Sequence, residues 1–132
     1  DEAAVNAAIV DACPGALNTG CTHTELEFAA LVRRCNALVT GDTMAMHVAI
    51  AGDVPTVALF GPTAAQEIDL YGRGEKVVTG LSCAPCYFRR CDLSPNCMDE
   101  ISVERVLRAV QRWVAAGSTQ ARTVTATVEV HA

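Results

Sequence analysis

The centre of the chain alternates short apolar runs with polar turns and one apolar helical stretch. The runs 37–40 and 55–60 have the length and composition of buried strands, and the stretch 44–51 between them predicts a helix that ends at Gly52. Strand, polar turn, helix and strand in this order are typical of an open sheet of parallel strands. The pattern therefore predicts an α/β fold.

The amino-terminal third predicts two helices and one short strand. Apolar residues recur on one face over Glu2–Ala12, and the run Ala16–Asn18 that follows predicts the strand. Thr22 and Glu25 have the spacing of a capping box, in which a threonine and a glutamate three positions later satisfy each other's backbone N–H groups. The second helix is therefore predicted to begin after Thr22.

The carboxyl-terminal part predicts one more core strand, a long helix and a tail. The strand is expected at Lys76–Thr79, and Ser102 is the expected N-cap of a helix that ends at Gly117. Apolar and polar residues alternate strictly over Thr123–Val130, which predicts a strand that pairs with an exposed sheet edge, in the same chain or in a second copy. The residues expected on the inner face of the helix are Val103, Val106, Leu107, Val110, Trp113 and Val114.

Two polar turns follow the two central strands. Gly41-Asp42-Thr43 follows the first strand and Gly61-Pro62-Thr63 follows the second. Ligands of open parallel sheets bind beyond the carboxyl ends of the strands. A helix that begins directly after the first turn directs free N–H groups at a phosphate, Asp42 and Thr43 suit its cap, and His47 lies one turn further on the same side. The two turns therefore predict a diphosphate site.

Each of these residues also has a purely structural interpretation. His47 could be a buried histidine with satisfied hydrogen bonds, Asp42 could serve only as an N-cap, and the turn 61–63 could be an ordinary connection. The agreement of both turns with the helix start favours the ligand site.

These same residues carry a resemblance to a known family. The pattern Asp42-Thr43-x-x-Met46-His47-x-Ala49-x-Ala51, followed by 57–63, resembles glycosyltransferase family 9, the ADP-heptose:lipopolysaccharide heptosyltransferases and their relatives. The resemblance extends over residues 1–116 and implies a Rossmann-like open parallel sheet, as an incomplete carboxyl-terminal half of a two-domain GT-B enzyme. We expect a donor-binding domain at 1–117 and a tail at 118–132. Met44 departs from the family, which usually has glycine there, so the identity of the donor stays open.

The resemblance implies transfer of a sugar from a nucleotide diphosphate sugar, such as ADP-heptose, to a lipopolysaccharide-type glycolipid or glycan, with inversion. No cofactor is implied for this transfer. The catalytic base is expected in an amino-terminal domain outside this sequence, so the chain alone is expected to be inactive. Glu67 is either a solvated loop acid or, as the resemblance implies, a contact to sugar or ribose hydroxyls. The implied donor-binding residues are Asp42, Thr43, Met44, Ala45, Met46, His47, Gly61, Pro62, Thr63 and Glu67.

Seven cysteines form a second candidate feature. Three are scattered, and four lie within the Cys-rich loop 83–97. Four thiols at this spacing could hold zinc or an iron–sulfur cluster, or could belong to a reduced loop that binds nothing. The competing function is therefore a non-enzymatic metal-binding or interaction module. The candidate ligands are Cys83, Cys86, Cys91 and Cys97.

Composition limits the partners. A chain of 132 residues with 51% hydrophobic residues forms one domain with a real core, and a net charge of −5 argues against nucleic acid as a partner. No apolar stretch approaches the ~20 residues of a membrane span. We expect a cytoplasmic protein, and attachment at the inner face of the membrane stays open.

Overall fold

The fold centres on a parallel sheet of three strands. The computed structural model describes residues 2–119, and their strands are β1 (Leu38–Gly41), β2 (Thr56–Phe60) and β3 (Gly74–Val78) in the spatial order β1-β2-β3. The predicted α/β fold with an open, Rossmann-like parallel sheet is confirmed. β1 ends one residue later than predicted, and β3 begins two residues earlier.

Helices cover both faces of this sheet. α3 packs against β1 and β2 and contacts α2 on one side, whereas α5 lies over β2 and β3 on the other. A short 3₁₀ helix at Ala65–Glu67 follows β2. The α-helices are α1 (Glu2–Ala12), α2 (Glu25–Val32), α3 (Met44–Ala51), α4 (Cys97–Glu100) and α5 (Val103–Thr119).

The core lies on both sides of β2, which explains why that strand is apolar almost throughout. On the α3 side, Met46 and Phe60 are fully buried in one cluster with Leu70. On the α5 side, Val57 and Val77 pack with Ala109.

Close approach of β3 to β2 depends on a glycine. A Cβ atom at Gly74 would overlap the carbonyl oxygen of Thr56, which lies directly opposite in the register. The N–H of Thr56 in turn donates to the carbonyl of Arg73 at 2.9 Å. The first pair of the β2–β3 ladder is therefore possible only without a side chain at position 74.

The strand predicted at Ala16–Asn18 is wrong. The structure has no strand there, and Leu17 is 91% exposed. A short apolar run forms a strand only if a neighbouring strand pairs with it. Among residues 2–119, β1 pairs only with β2, so its other edge has no partner strand and the run 16–18 is not part of the sheet.

The capping box predicted at Thr22 is also wrong, because it lies two residues further on. Thr24 is the N-cap of α2, its hydroxyl accepts from the N–H of Glu27 at 3.3 Å, and the Glu27 carboxylate accepts from the N–H of Thr24 at 2.8 Å. Both threonine–glutamate pairs fit the motif. The His23 ring donates to the carbonyl of Thr19 at 2.6 Å, which ties the preceding residues into a loop.

The predicted inner face of α5 is correct only in part. Val106, Val110 and Trp113 pack on the core, but Val103 and Leu107 are 77% and 51% exposed. Val114 is exposed as well. Val103 and Leu107 line an open apolar groove of about 400 Å³ between α5, Leu59 of β2 and Met98 of α4.

The carboxyl-terminal region extends beyond the described residues. α5 continues two residues past the predicted end at Gly117. The strand predicted at Thr123–Val130 lies outside the range 2–119. Within that range, no helix is both long and apolar enough to cross a bilayer.

Candidate functional site

Both polar turns leave the same edge of the sheet. Gly41 at the end of β1 is paired with Leu59, one residue before the end of β2. The turn 41–43, which we call the first turn, and the turn 61–63, the second turn, therefore begin side by side. The carboxyl edge of the sheet thus brings together the two segments that the sequence selected.

The first turn leaves the start of α3 open. Thr43 is the N-cap of α3, but its side chain makes no capping hydrogen bond. Its hydroxyl instead lies 3.1 Å from the hydroxyl of Thr40. The first N–H groups of a helix have no partner within the helix, so those of Met44 and Ala45 point out of α3 toward the space beyond the strand ends. Amides in this position can bind an anion.

His47 has an exposed side chain one turn into α3. The interpretation of His47 as a buried histidine is therefore wrong, and its ring is accessible to a ligand. Asp42 is also exposed. Met44 is 56% exposed, whereas Met46 is fully buried in the core and its N–H donates to the carbonyl of Thr43 at 3.1 Å.

The second turn is covered by the Cys-rich loop 83–97. A Cβ atom at Gly61 would lie 2.7 Å from Cys97 Sγ and 2.9 Å from Met98 Sδ, so the glycine allows this close packing. The carbonyl of Pro62 accepts from the N–H groups of Cys86 and Tyr87, at 3.0 and 2.8 Å. The second turn is therefore a docking point for a distant loop as well as a connection.

Glu67 ends the 3₁₀ helix that follows the second turn, and two distant side chains hold this segment. Lys76 Nζ donates to the carbonyls of Ala65, at 2.7 Å, and Ile68. The Tyr87 hydroxyl donates to Glu67 Oε1 at 3.0 Å. Glu67 is thus an exposed carboxylate at the strand-end edge, and Tyr87 holds one of its two oxygens.

Sequence reasoning missed both Lys76 and Tyr87. Lys76 lies opposite Ala58 in the register, so it occupies a position of β3 that faces the α3 side, and a lysine at such a position was a usable signal. Tyr87 carries no comparable signal in the sequence.

The four clustered cysteines share one cavity. Cys83, Cys86, Cys91 and Cys97 all line a cavity of about 260 Å³, which also reaches the second turn at 61–62. Arg89 and Arg90 line the same cavity. As placed, no three His, Cys, Asp or Glu side chains of the described residues are close enough together to hold a metal ion. The remaining cysteines, Cys13, Cys21 and Cys35, do not line it.

Together, the two turns present groups of complementary chemistry. Amides at the start of α3 and the exposed His47 can donate to an anion, while the Glu67 carboxylate can accept from hydroxyl groups. A ligand with a charged diphosphate next to sugar hydroxyls matches both.

Comparison with known proteins gives partial matches to sugar transferases. A lipooligosaccharide heptosyltransferase 2 of Campylobacter jejuni is 31% identical over 81 residues, which is 59% of this chain and 26% of the relative. A lipopolysaccharide heptosyltransferase 1 of Pseudomonas aeruginosa is 38% identical over 69 residues, 52% of this chain and 19% of the relative. A lipopolysaccharide heptosyltransferase 2 of Salmonella typhimurium is 52% identical over 42 residues, 31% of this chain and 12% of the relative.

The chain thus spans about a quarter or less of the length of the curated relatives it matches. No solved structure matches significantly. The sequence model of glycosyltransferase family 9 (heptosyltransferase) matches residues 1–97, which include both turns and Glu67. Because this match extends over well more than half of the 132 residues, the chain belongs to glycosyltransferase family 9.

Proposed function

We propose that this chain binds the donor of a heptosyltransferase-like reaction, a nucleotide diphosphate sugar such as ADP-heptose, at the strand-end edge of its sheet. The observation that carries the proposal is the open start of α3, with the exposed His47 one turn away and the second turn beside it. The family of the chain supports a sugar donor over other anions.

In this proposal the chain stabilises the leaving group. As the bond between the anomeric carbon and the diphosphate breaks, negative charge develops on the diphosphate. The amides of Met44 and Ala45, the Thr43 hydroxyl and the His47 ring donate to that charge, and fixed donors of this kind lower the barrier because they need no reorganisation. Glu67 accepts from a hydroxyl of the ribose or sugar.

The rest of the reaction requires protein outside this chain. A carboxylate base on a preceding domain of a GT-B enzyme would take the proton of the acceptor hydroxyl, and the anomeric carbon would invert. The proposed acceptor is a lipopolysaccharide-type glycolipid. We therefore expect no transfer by the chain alone, and ADP release that depends on an acceptor would contradict this part of the proposal.

Calorimetric titration with ADP and ADP-glucose tests the donor site. Replacing His47 by alanine should weaken binding of either ligand by about 1.5–3 kcal/mol, because a hydrogen bond to a charged group is lost. His23→Ala is the matched control, since the His23 ring donates to a carbonyl in the loop before α2 and its loss should leave affinity unchanged. Equal affinity of the unmodified protein and His47→Ala would overturn the role of His47.

A second candidate function is metal binding by the Cys-rich loop, because all four of its cysteines line one cavity. A metal would have to draw the thiols closer together than they are placed here. Elemental analysis of protein purified without chelators should then give stoichiometric zinc or iron. The metal should be lost in Cys86→Ser and retained in Cys13→Ser. Substoichiometric metal in the unmodified protein would contradict this candidate.

A further inference from the structure

Tyr87 is fixed by its backbone against the second turn. Its φ is 57°, a left-handed conformation that residues other than glycine rarely adopt. Its N–H donates to the carbonyl of Pro62 at 2.8 Å, and the neighbouring Cys86 donates to the same oxygen at 3.0 Å. The backbone of the Cys-rich loop is therefore anchored to the second turn at Cys86 and Tyr87.

The hydroxyl of Tyr87 contacts Glu67, at the far end of the segment 62–67 that begins at the second turn. It donates to Glu67 Oε1 at 3.0 Å. The Tyr87 side chain is 56% exposed, and Glu67 is also exposed, so this contact fills no part of the core. Tyr87 therefore bridges the start of the segment, at Pro62, and its end, at Glu67.

The surroundings of the Tyr87 hydroxyl favour its protonated form. Partial desolvation, followed by the hydrogen bond to Glu67 and the charge of that carboxylate, raises the pKa of Tyr87 above its ordinary value. The charge of Asp42 adds a smaller effect in the same direction. A backbone hydrogen bond from Ala64 acts in the opposite direction, but the net shift of the pKa is upward, so Tyr87 stays protonated, as a donor, at neutral pH.

We propose that Tyr87 is a positioning residue of the donor site, which holds one oxygen of Glu67 so that the other faces the hydroxyl groups of the nucleotide sugar. An ionised carboxylate accepts on both oxygens, so the bond to Oε1 leaves Oε2 for the ligand. Fixing the glutamate in advance also removes the entropy that its side chain would lose on binding. This inference rests on the proposed function and adds a selectivity for the hydroxyl-bearing part of the donor.

A double-mutant cycle measured by calorimetry tests this role. The probes are ADP-glucose, which carries ribose and sugar hydroxyls, and inorganic diphosphate, which carries none. Tyr87→Phe should weaken the binding of ADP-glucose by about 3- to 10-fold, the effect of one lost hydrogen bond, and should leave the affinity for diphosphate unchanged. In a Glu67→Ala background, Tyr87→Phe should have no further effect, because the tyrosine acts through Glu67.

Three results would overturn the role of Tyr87 while diphosphate binding preserves the proposed function. The first is unchanged affinity for ADP-glucose in Tyr87→Phe, and the second is an equal loss of affinity for both probes in that variant. The third is a full effect of Tyr87→Phe in the Glu67→Ala background. Failure of the unmodified chain to bind either probe would overturn both proposals.

An absorbance titration checks the contact without any ligand. The chain has two tyrosines, so Tyr87 is the only one in a Tyr71→Phe variant. Adding Glu67→Ala should lower the pKa of Tyr87 toward its ordinary value, because the hydrogen bond and the negative charge that raise it are removed. An unchanged pKa would contradict the contact on which the inference depends.

Discussion

The two turns of the proposed donor site are built in different ways. The first turn and α3 form one continuous segment, and the contact that shapes the turn joins Thr40 to Thr43, three residues apart. The second turn and Glu67 are held from outside, by Lys76 and by Tyr87, which lies 20 residues from Glu67. The first half of the site is therefore locally encoded, whereas the second depends on the completed fold.

The largest effect on stability is expected at Lys76, which contacts the second half of the site and not the first. Lys76→Met keeps most of the length of the side chain but removes the hydrogen bonds to the carbonyls of Ala65 and Ile68. We expect a loss of about 1.5–3 kcal/mol in the free energy of unfolding, since the lost donor is charged. Urea denaturation measures this change.

Arg112→Met is the matched control for Lys76→Met. It removes a cation from an exposed ion pair with Glu75, 2.5 Å at its closest, which joins α5 to β3. Exposed pairs contribute only about 0.2–1 kcal/mol, and because Arg112 bonds both oxygens of Glu75, a loss near the upper end of that range is expected. Equal losses of unfolding free energy in the two variants would show that Lys76 contributes no more to stability than a surface ion pair, which would contradict its role in holding the second half of the site.

A smaller effect is expected at Thr40, within the first half. Thr40→Val keeps the shape of the side chain and removes one hydroxyl contact to Thr43, which should cost about 0.5–1.5 kcal/mol in the free energy of unfolding. Amide hydrogen exchange should change near residues 40–45 and not near 64–68. Changes in both segments would mean that the two halves are not independent.

The smallest effect should appear only in the pH dependence of stability. The exposed Glu100 carboxylate accepts from the N–H of Gly80 at 2.8 Å, and this bond, followed by one from the Thr79 hydroxyl, lowers its pKa below the ordinary 4.5. A lowered pKa in the folded state gives a stabilisation that is complete above pH 4.5 and is lost as the pH falls through the lowered value.

Unfolding of Glu100→Gln, followed across this pH range, measures that contribution. The variant should be less stable than the unmodified protein at neutral pH, and the difference should shrink as the pH falls below 4.5. A difference that stays constant with pH would contradict the hydrogen bond between the folded-state carboxylate and Gly80.

The contrast between a locally encoded first half and a second half that depends on the completed fold explains how much the sequence could predict. Local patterns gave the sheet, α3 and the first turn, because each depends on residues a few positions apart. They missed Tyr87, because its contact with Glu67 exists only once the Cys-rich loop folds back over the second turn. The capping box failed for another reason: Thr22 and Thr24 both fit the motif, and only the surrounding loop selects between them.

The exposed part of the apolar face of α5 shows a further limit. Val103 and Leu107 have the periodicity of core residues, yet they are exposed. Periodicity reports which side of a helix is apolar, but only the number and position of the strands decide how much of that side is covered.

The most direct test of the donor site is an amide chemical-shift map of the isotope-labelled protein during titration with ADP. Binding at the strand ends predicts the largest shifts at the start of α3, residues 43–45, together with smaller shifts at the second turn, residues 61–64. The contrary result is binding with no shift at the start of α3, for example with all changes confined to the Cys-rich loop 83–97. That outcome would place the nucleotide elsewhere and contradict the proposed donor site.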